Sequence, residues 1–236
     1  TKYVNGQDVQ QFSNQPDNWY TLNIYNNIIV NNVTGLAGGG ISLQDALKTN
    51  IIHNTIANND STATAGTAFA PGSPNQSTPQ PAGIVSRANT PLLTNTIGNS
   101  QAARPYKDNP FSNPTLANSI IWHNRSFYFF GDPNAVPPVP YHLEPYALTY
   151  WDLAVLGTTG VLNPQFSILT GMADPGFVTE YFNGDRGQTI LQPGATTAIT
   201  PAPAFDEGGN FIRVQFGPLS INVDVGADPG VQLPDY

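Results

Sequence analysis

Short aliphatic runs framed by asparagine set the pattern of this chain. Asn26-Asn27-Ile28-Ile29-Val30-Asn31-Asn32 is followed 23 residues later by Thr49-Asn50-Ile51-Ile52-His53-Asn54-Thr55. A looser third copy reads Asn118-Ser119-Ile120-Ile121-Trp122-His123-Asn124. Each run is long enough for one strand, and a period near two dozen residues is that of a β-solenoid, in which strands of successive repeats stack. The flanking asparagines tolerate the left-handed backbone conformation and hydrogen-bond locally, so the bends are expected there.

The pattern extends beyond these copies. Residues 83–88 repeat 40–46 after a glycine corner at 38–40, and Leu93-Thr94-Asn95 repeats Lys48-Thr49-Asn50. Further strands are expected at 22–25, 55–57, 126–130, 151–156, 166–169 and 211–216, with a turn at 174–178 leading into another. Segments rich in Pro, Gly, Ser and Thr interrupt the repeats at about 61–82, 98–115 and 131–147 and read as loop excursions. A stacked repeat tolerates them, because each strand's partners lie above and below it. Helical periodicity is nowhere sustained for three turns, so almost no α-helix is expected. Residues 233–236 close without a cap over the last strand edge. The reading is therefore a fragment of a longer protein, or an end covered by another subunit.

Composition narrows the function classes. Only 10% of the 236 residues are charged, against about 25% in ordinary domains. With 39% hydrophobic and 11% aromatic residues the chain is nevertheless no disordered polyampholyte. The net charge is −8, and the eight Lys and Arg are scattered singly, so no basic face forms for nucleic acid. Cysteine is absent, which removes disulfides, thiolate metal sites and iron–sulfur clusters. No apolar run approaches the roughly 20 residues of a membrane span. Low Lys with high Asn, Gly and Thr suits an extracellular or outer-membrane surface protein, whose export signal would lie upstream of Thr1.

The repeats at 26–32, 50–59 and 118–124 resemble those of right-handed parallel β-helices of the pectate-lyase-like superfamily, above all its NosD-type and surface-adhesin branches. Gly38-Gly39-Gly40-Ile41-Ser42-Leu43 is similar to the glycine-led repeat of polymorphic outer-membrane proteins. Residues 23–59, 151–169 and 206–211 look like a group of large bacterial exported proteins often encoded with multicopper oxidases or extracellular electron-transfer components. The resemblance implies one right-handed parallel β-helix domain over residues 1–236. It brings no catalytic motif onto these residues.

Candidate chemistry is sparse. Hydrolases on such a scaffold need two or three neighbouring carboxylates, and the repeats offer only Asp45, opposite Arg87 or Ala88, and Asp152. Asp45 and Arg87 read as solvated residues paired across repeats. His53, His123 and His142 invite copper or zinc. In the register above, however, His53 matches Trp122 and His123 matches Asn54, so the rings fall on opposite strand faces. Calcium suits oxygen-rich loops better, with Asp206, Glu207 and Asn210 as its candidate ligands. The aromatics 127–130, Tyr146, Tyr150 and Trp151 would line either a sugar-binding face or the core.

The expectation is a non-enzymatic structural or interaction module with no required cofactor, calcium being the one ion it would suit. Its partner would be another protein or further copies of itself, filaments included. The alternatives are a carbohydrate-binding or carbohydrate-active β-helix, and an accessory protein of a multicopper oxidase or electron-transfer system.

Overall fold

A computed structural model describes residues 13–98, 100–184 and 186, together with the backbone of strands at 2–4, 7–9, 221–224 and 232–235. β1 (Lys2–Val4) and β2 (Gln7–Val9) pair antiparallel. The chain then makes a pass of β3 (Leu22–Tyr25), β4 (Ile28–Val30), β5 (Val33–Thr34) and β6 (Ile41–Leu43). The second pass is β7 (Thr49–Ile52), β8 (Thr55–Ala57), β9 (Asp60–Ser61) and β10 (Ile84–Arg87). Two short helices follow, α1 (Pro91–Ile97) and α2 (Arg104–Lys107). The third pass is β11 (Thr115–Ala117), β12 (Ile120–Trp122), β13 (Arg125–Asp132), β14 (Val139–Tyr150) and β15 (Leu153–Leu156), and β16 (Ile168–Leu169) begins a fourth. β17 (Ile221–Asp224) and β18 (Gln232–Asp235) form an antiparallel pair.

The described residues are thus mainly β, in parallel and mixed sheets. Strands of successive passes pair in parallel in the orders β11-β7-β3, β16-β12-β8-β4 and β15-β10-β6. The remaining sheet, β14-β13-β9-β5, is parallel except for the hairpin β13–β14.

In-register pairing piles like upon like. Ile24, Ile51 and Leu116 make one column, and Ile29, Ile56, Ile121 and Leu169 another. Ile41, Ile84 and Leu153 face them from a third sheet. Ile51, Ile56, Ile84 and Ile121 have no exposed surface, and burying a side chain of this size contributes about 1.5–3 kcal/mol. Glycine makes the corner after 38–40 possible. A Cβ on Gly39 would meet the Asp60 carbonyl oxygen at 2.7 Å, and one on Gly83 would lie 2.1 Å from that of Asp152.

The observed register corrects the expected period. Ile28 pairs with Thr55 and Ile29 with Ile56, an offset of 27 residues rather than 23. The first and third copies are aligned as expected, since Ile28, Thr55 and Ile120 share a row. The true second copy is His53-Asn54-Thr55-Ile56-Ala57-Asn58-Asn59. Two adjacent sides of a pass, those of β7 and β8, both carry a short aliphatic run beside asparagines, so the sequence match had slid along by one side. With this register the bends coincide. Asn26, His53 and Asn118 hold φ of 56°, 59° and 49° at one corner, and Asn31, Asn58 and His123 hold 58°, 50° and 52° at the next.

Three further expectations change. Leu93-Thr94-Asn95 does not continue a strand but lies in α1, where Thr90 Oγ1 accepts from the Leu93 amide and Pro91 opens the helix. That is an N-cap with proline in the first turn, and Leu93 and Ile97 bury against Ala103, Trp19 and Leu47. Residues 131–147 are not a loop: β14 pairs with β13 from Asp132↔Val139 to Arg125↔Tyr150. Of 166–169 only Ile168–Leu169 is strand, with Phe166 at φ 51° and 90% exposed. The turn at 174–178 leads into no strand over the described residues 177–184. The expected strand at 211–216 lies outside them.

Candidate functional site

At these two corners each left-handed residue is followed by an asparagine or serine, and these side chains form two polar columns. In the first, Asn54 Oδ1 accepts from the backbone and side-chain amides of Asn27 (3.0 and 3.2 Å), Ser119 Oγ accepts from Asn54 N, and Ser167 Oγ from Ser119 N. In the second, Asn32 Nδ2 donates to Asn59 Oδ1 (2.8 Å), Asn59 Nδ2 to Asn124 Oδ1 (2.9 Å), and Asn124 Nδ2 to Asp152 Oδ1 (2.8 Å). Asn59 and Asn124 are fully buried. Their amides also donate to Ile29 O and Ile56 O, so both ends of each side chain are satisfied, as burial of an amide requires.

Beside the second column lies a cluster that the sequence reading missed. Asp60 has no exposed surface, and its carboxylate accepts from Arg125 Nε (2.8 Å) and Nη2 (2.7 Å) and from Arg186 Nε (2.9 Å). Arg186 Nη2 donates to Asn183 Oδ1, and Asn183 Nδ2 to the carbonyls of Asn32 and Asn58. Residues 180–184 and 186 therefore lie across the bends of successive passes like a strap. At its start Glu180 stands 3.9 Å from His123 Nδ1, and the His123 ring lies between Trp122 (4.5 Å) and Tyr150 (4.2 Å). Phe127 and Phe182 flank the Arg125 guanidinium at 5.2 and 6.0 Å. A readable signal existed. Once Asn32, Asn59 and Asn124 are aligned, the next residues, Val33, Asp60 and Arg125, fall in one column.

The candidates named from sequence are placed as follows. Asp45 does not pair with Arg87: its two oxygens accept from the Thr90 amide and hydroxyl, each at 2.7 Å, fixing the start of α1. Asp152 ends the second column and also accepts from Thr170 N. His53 and His123 sit apart, but the reason differs from the one expected: they occupy different bends, each in a left-handed conformation, not opposite faces of a strand. His142 is on β14, between Glu144 Oε1 (2.6 Å) and Pro140 O (2.7 Å). These two acceptors raise its pKa above 6.5, the Glu144 bond most. No three His, Asp or Glu side chains gather among the described residues, and the calcium candidates Asp206, Glu207 and Asn210 lie outside them.

Of the aromatics, Phe127 is core, while Phe129 stacks on Tyr141 and meets Phe69 edge-on. Tyr146 stacks on Trp151. The excursion after β9 docks onto the hairpin through Ser77 N to Phe129 O and Gly131 N to Asn75 O. Where α1 covers the first pass, a cavity of about 460 Å³ is lined by Trp19, Leu22, Ala46, Leu47 and Leu93. No helix here is long and apolar enough to cross a membrane, among the described residues. Neither a family model, nor a curated protein, nor a solved structure matches this chain.

Proposed function

We propose that the passes form one right-handed parallel β-helix, the hand being that of the resembled repeats, and that it serves as a non-enzymatic structural or interaction module outside a bacterial cell. The observation that carries this reading is the use made of the carboxylates around the coil. Asp45 holds a helix start, Asp60 is enclosed by two arginines, and Asp152 ends an amide column. A general acid or base must exchange its proton with a substrate, and these three are consumed by protein donors. The same bonds make a rigid scaffold, from which the hairpin β13–β14 and the excursion docked on it offer a lateral contact surface. The test is a panel of acidic and neutral polysaccharides incubated with the protein, with and without calcium. Unchanged chain lengths agree with the reading, and release of shortened or unsaturated products would overturn it.

A carbohydrate-binding surface is the second reading, favoured by the stack of Trp122, His123 and the 37% exposed Tyr150. Sugars pack on such rings through their apolar faces. Calorimetry with the same panel, repeated with Tyr150→Ala, separates the two: saturable heat abolished by the substitution would favour this reading over the first.

A further inference from the structure

Among the described residues, the two ends of the stack are open in complementary ways. At the first-pass end, β3, β4, β5 and β6 each have a described strand partner on one side only, and at the other end β15 and β16 do likewise. Natural sheets protect such edges with lysine, proline or inward charge. Here residues 20–44 contain no Asp, Glu, Lys, Arg, His or Pro, and 153–173 contain no charge and a single proline, Pro164. Large apolar side chains stand exposed at both ends: Leu22 (45%), Tyr25 (45%) and Ile28 (66%) at the first, Val161 (78%) and Phe166 (90%) at the last.

The polar columns give the ends a direction. At each step within the molecule, the later pass accepts through a side-chain oxygen and the earlier pass donates from the backbone amide: Asn27 N to Asn54 Oδ1, Asn54 N to Ser119 Oγ, Ser119 N to Ser167 Oγ. Among the described residues, Asn27 Oδ1 accepts nothing at the first end, and the Ser167 amide donates to nothing at the last. One end lacks the donor that the other presents.

We propose that the protein stacks end to end with further copies of itself, the β3–β5 edge of one protomer adding in parallel to the β16 edge of the next, with Asn27 of the one receiving the Ser167 amide of the other. This rests on the parallel β-helix reading above. Adding a strand to an open edge is an established mode of recognition. Because the joined surfaces differ, the contact is head-to-tail, and because they lie at opposite ends of the stack, successive copies continue along it as a filament instead of closing into a ring.

The experiment uses sedimentation velocity and negative-stain electron microscopy on the full chain over a wide concentration range. Circular dichroism monitors the fold of each sample. Two exposed-site variants block one end each, Ile28→Lys the first and Phe166→Lys the last. The expected result is concentration-dependent filaments for the unmodified chain and only monomers for either variant alone. An equal mixture of the two variants should give dimers and nothing larger, since one unblocked end of each kind remains. Should Ile28→Lys lose its β spectrum, Tyr25→Lys, at another exposed position of the same end, serves as the first-end block. A strict monomer with an intact β spectrum would overturn the stacking and leave the fold reading standing. Dimers of Phe166→Lys alone would also overturn it, by showing that like ends meet. A spectrum without β content in the unmodified chain would sink the fold reading instead.

Discussion

Asp60 and Arg125 are in-register partners on adjacent parallel strands, 65 residues apart in sequence, and the arginine grips the fully buried carboxylate with two hydrogen bonds of 2.8 and 2.7 Å. The pair stands where β13 leaves the coil to form its hairpin, and Arg186 from the strap completes it.

Arg125→Met keeps most of the apolar stem but removes both bonds, leaving Asp60 with Arg186. Breaking a buried ion pair from one side costs roughly 3–5 kcal/mol, and Arg186 should hold the loss near the lower bound. Urea unfolding followed by circular dichroism measures it. A loss below about 1 kcal/mol, the range of exposed pairs, would mean that the cluster does not stabilise the fold.

Position along the polar columns should decide what an Asn→Asp change does. Asn59→Asp replaces the amide nitrogen that faces Ile29 O and Asn124 Oδ1, both acceptors, by a carboxylate oxygen, while the other oxygen keeps its donors from Asn32. It should destabilise by about 3 kcal/mol, because a fully buried charge is left with one oxygen against acceptors. Asn27→Asp loses the donations to Tyr25 O and Asn54 Oδ1, but it lies exposed at the stack's end, where water solvates the charge, and should cost about 1 kcal/mol or less. Equal midpoints for the two variants in denaturant melts would contradict the column geometry.

Gly83 is required for close approach, not for its backbone angle. In Gly83→Ala the new methyl would lie 2.1 Å from Asp152 O, which is backbone and cannot swing aside. Overpacking of this kind costs about 1–3 kcal/mol. Gly66→Ala, with nothing within 4 Å of the added carbon, is the control and should melt within a degree or two of the unmodified chain.

The His142–Glu144 pair should be visible in a titration. Two acceptors favour the imidazolium, so the folded pKa lies above the unfolded 6.5. The resulting stabilisation is complete below the unfolded pKa and is lost as pH rises through the folded one. For so exposed a pair it is small. NMR titration should show His142 with a midpoint above 6.5 that falls in Glu144→Gln. A midpoint unmoved by that substitution would show the 2.6 Å bond to be absent in solution.

Much of the local structure could be read from residues alone. Asparagine-framed Ile and Val runs became strands, the glycines at 38–40 became a corner, and residues 84–86 paired with 41–43 as the repeat implied. The hairpin was hidden because Pro137, Pro138, Pro140 and Pro145 suggest a loop, yet proline is tolerated on an edge strand, which is where β14 lies. Helix α1 was hidden by its three-residue likeness to β7, while its true signals, Thr90 and Pro91, stood just before.

What the amino acids determined by themselves was the β class, the inward aliphatic residues and the left-handed bends, because strand propensity and backbone preference act over a few residues. The 27-residue offset, the joining of Asp60 to Arg125 and the separation of His53 from His123 were decided only by the folded stack. The sides formed by β7 and β8 carry similar aliphatic runs beside asparagines, so sliding from one to the other violates no local rule. Only when a buried amide must find its counterpart on the neighbouring pass does one register become lower in free energy than the others.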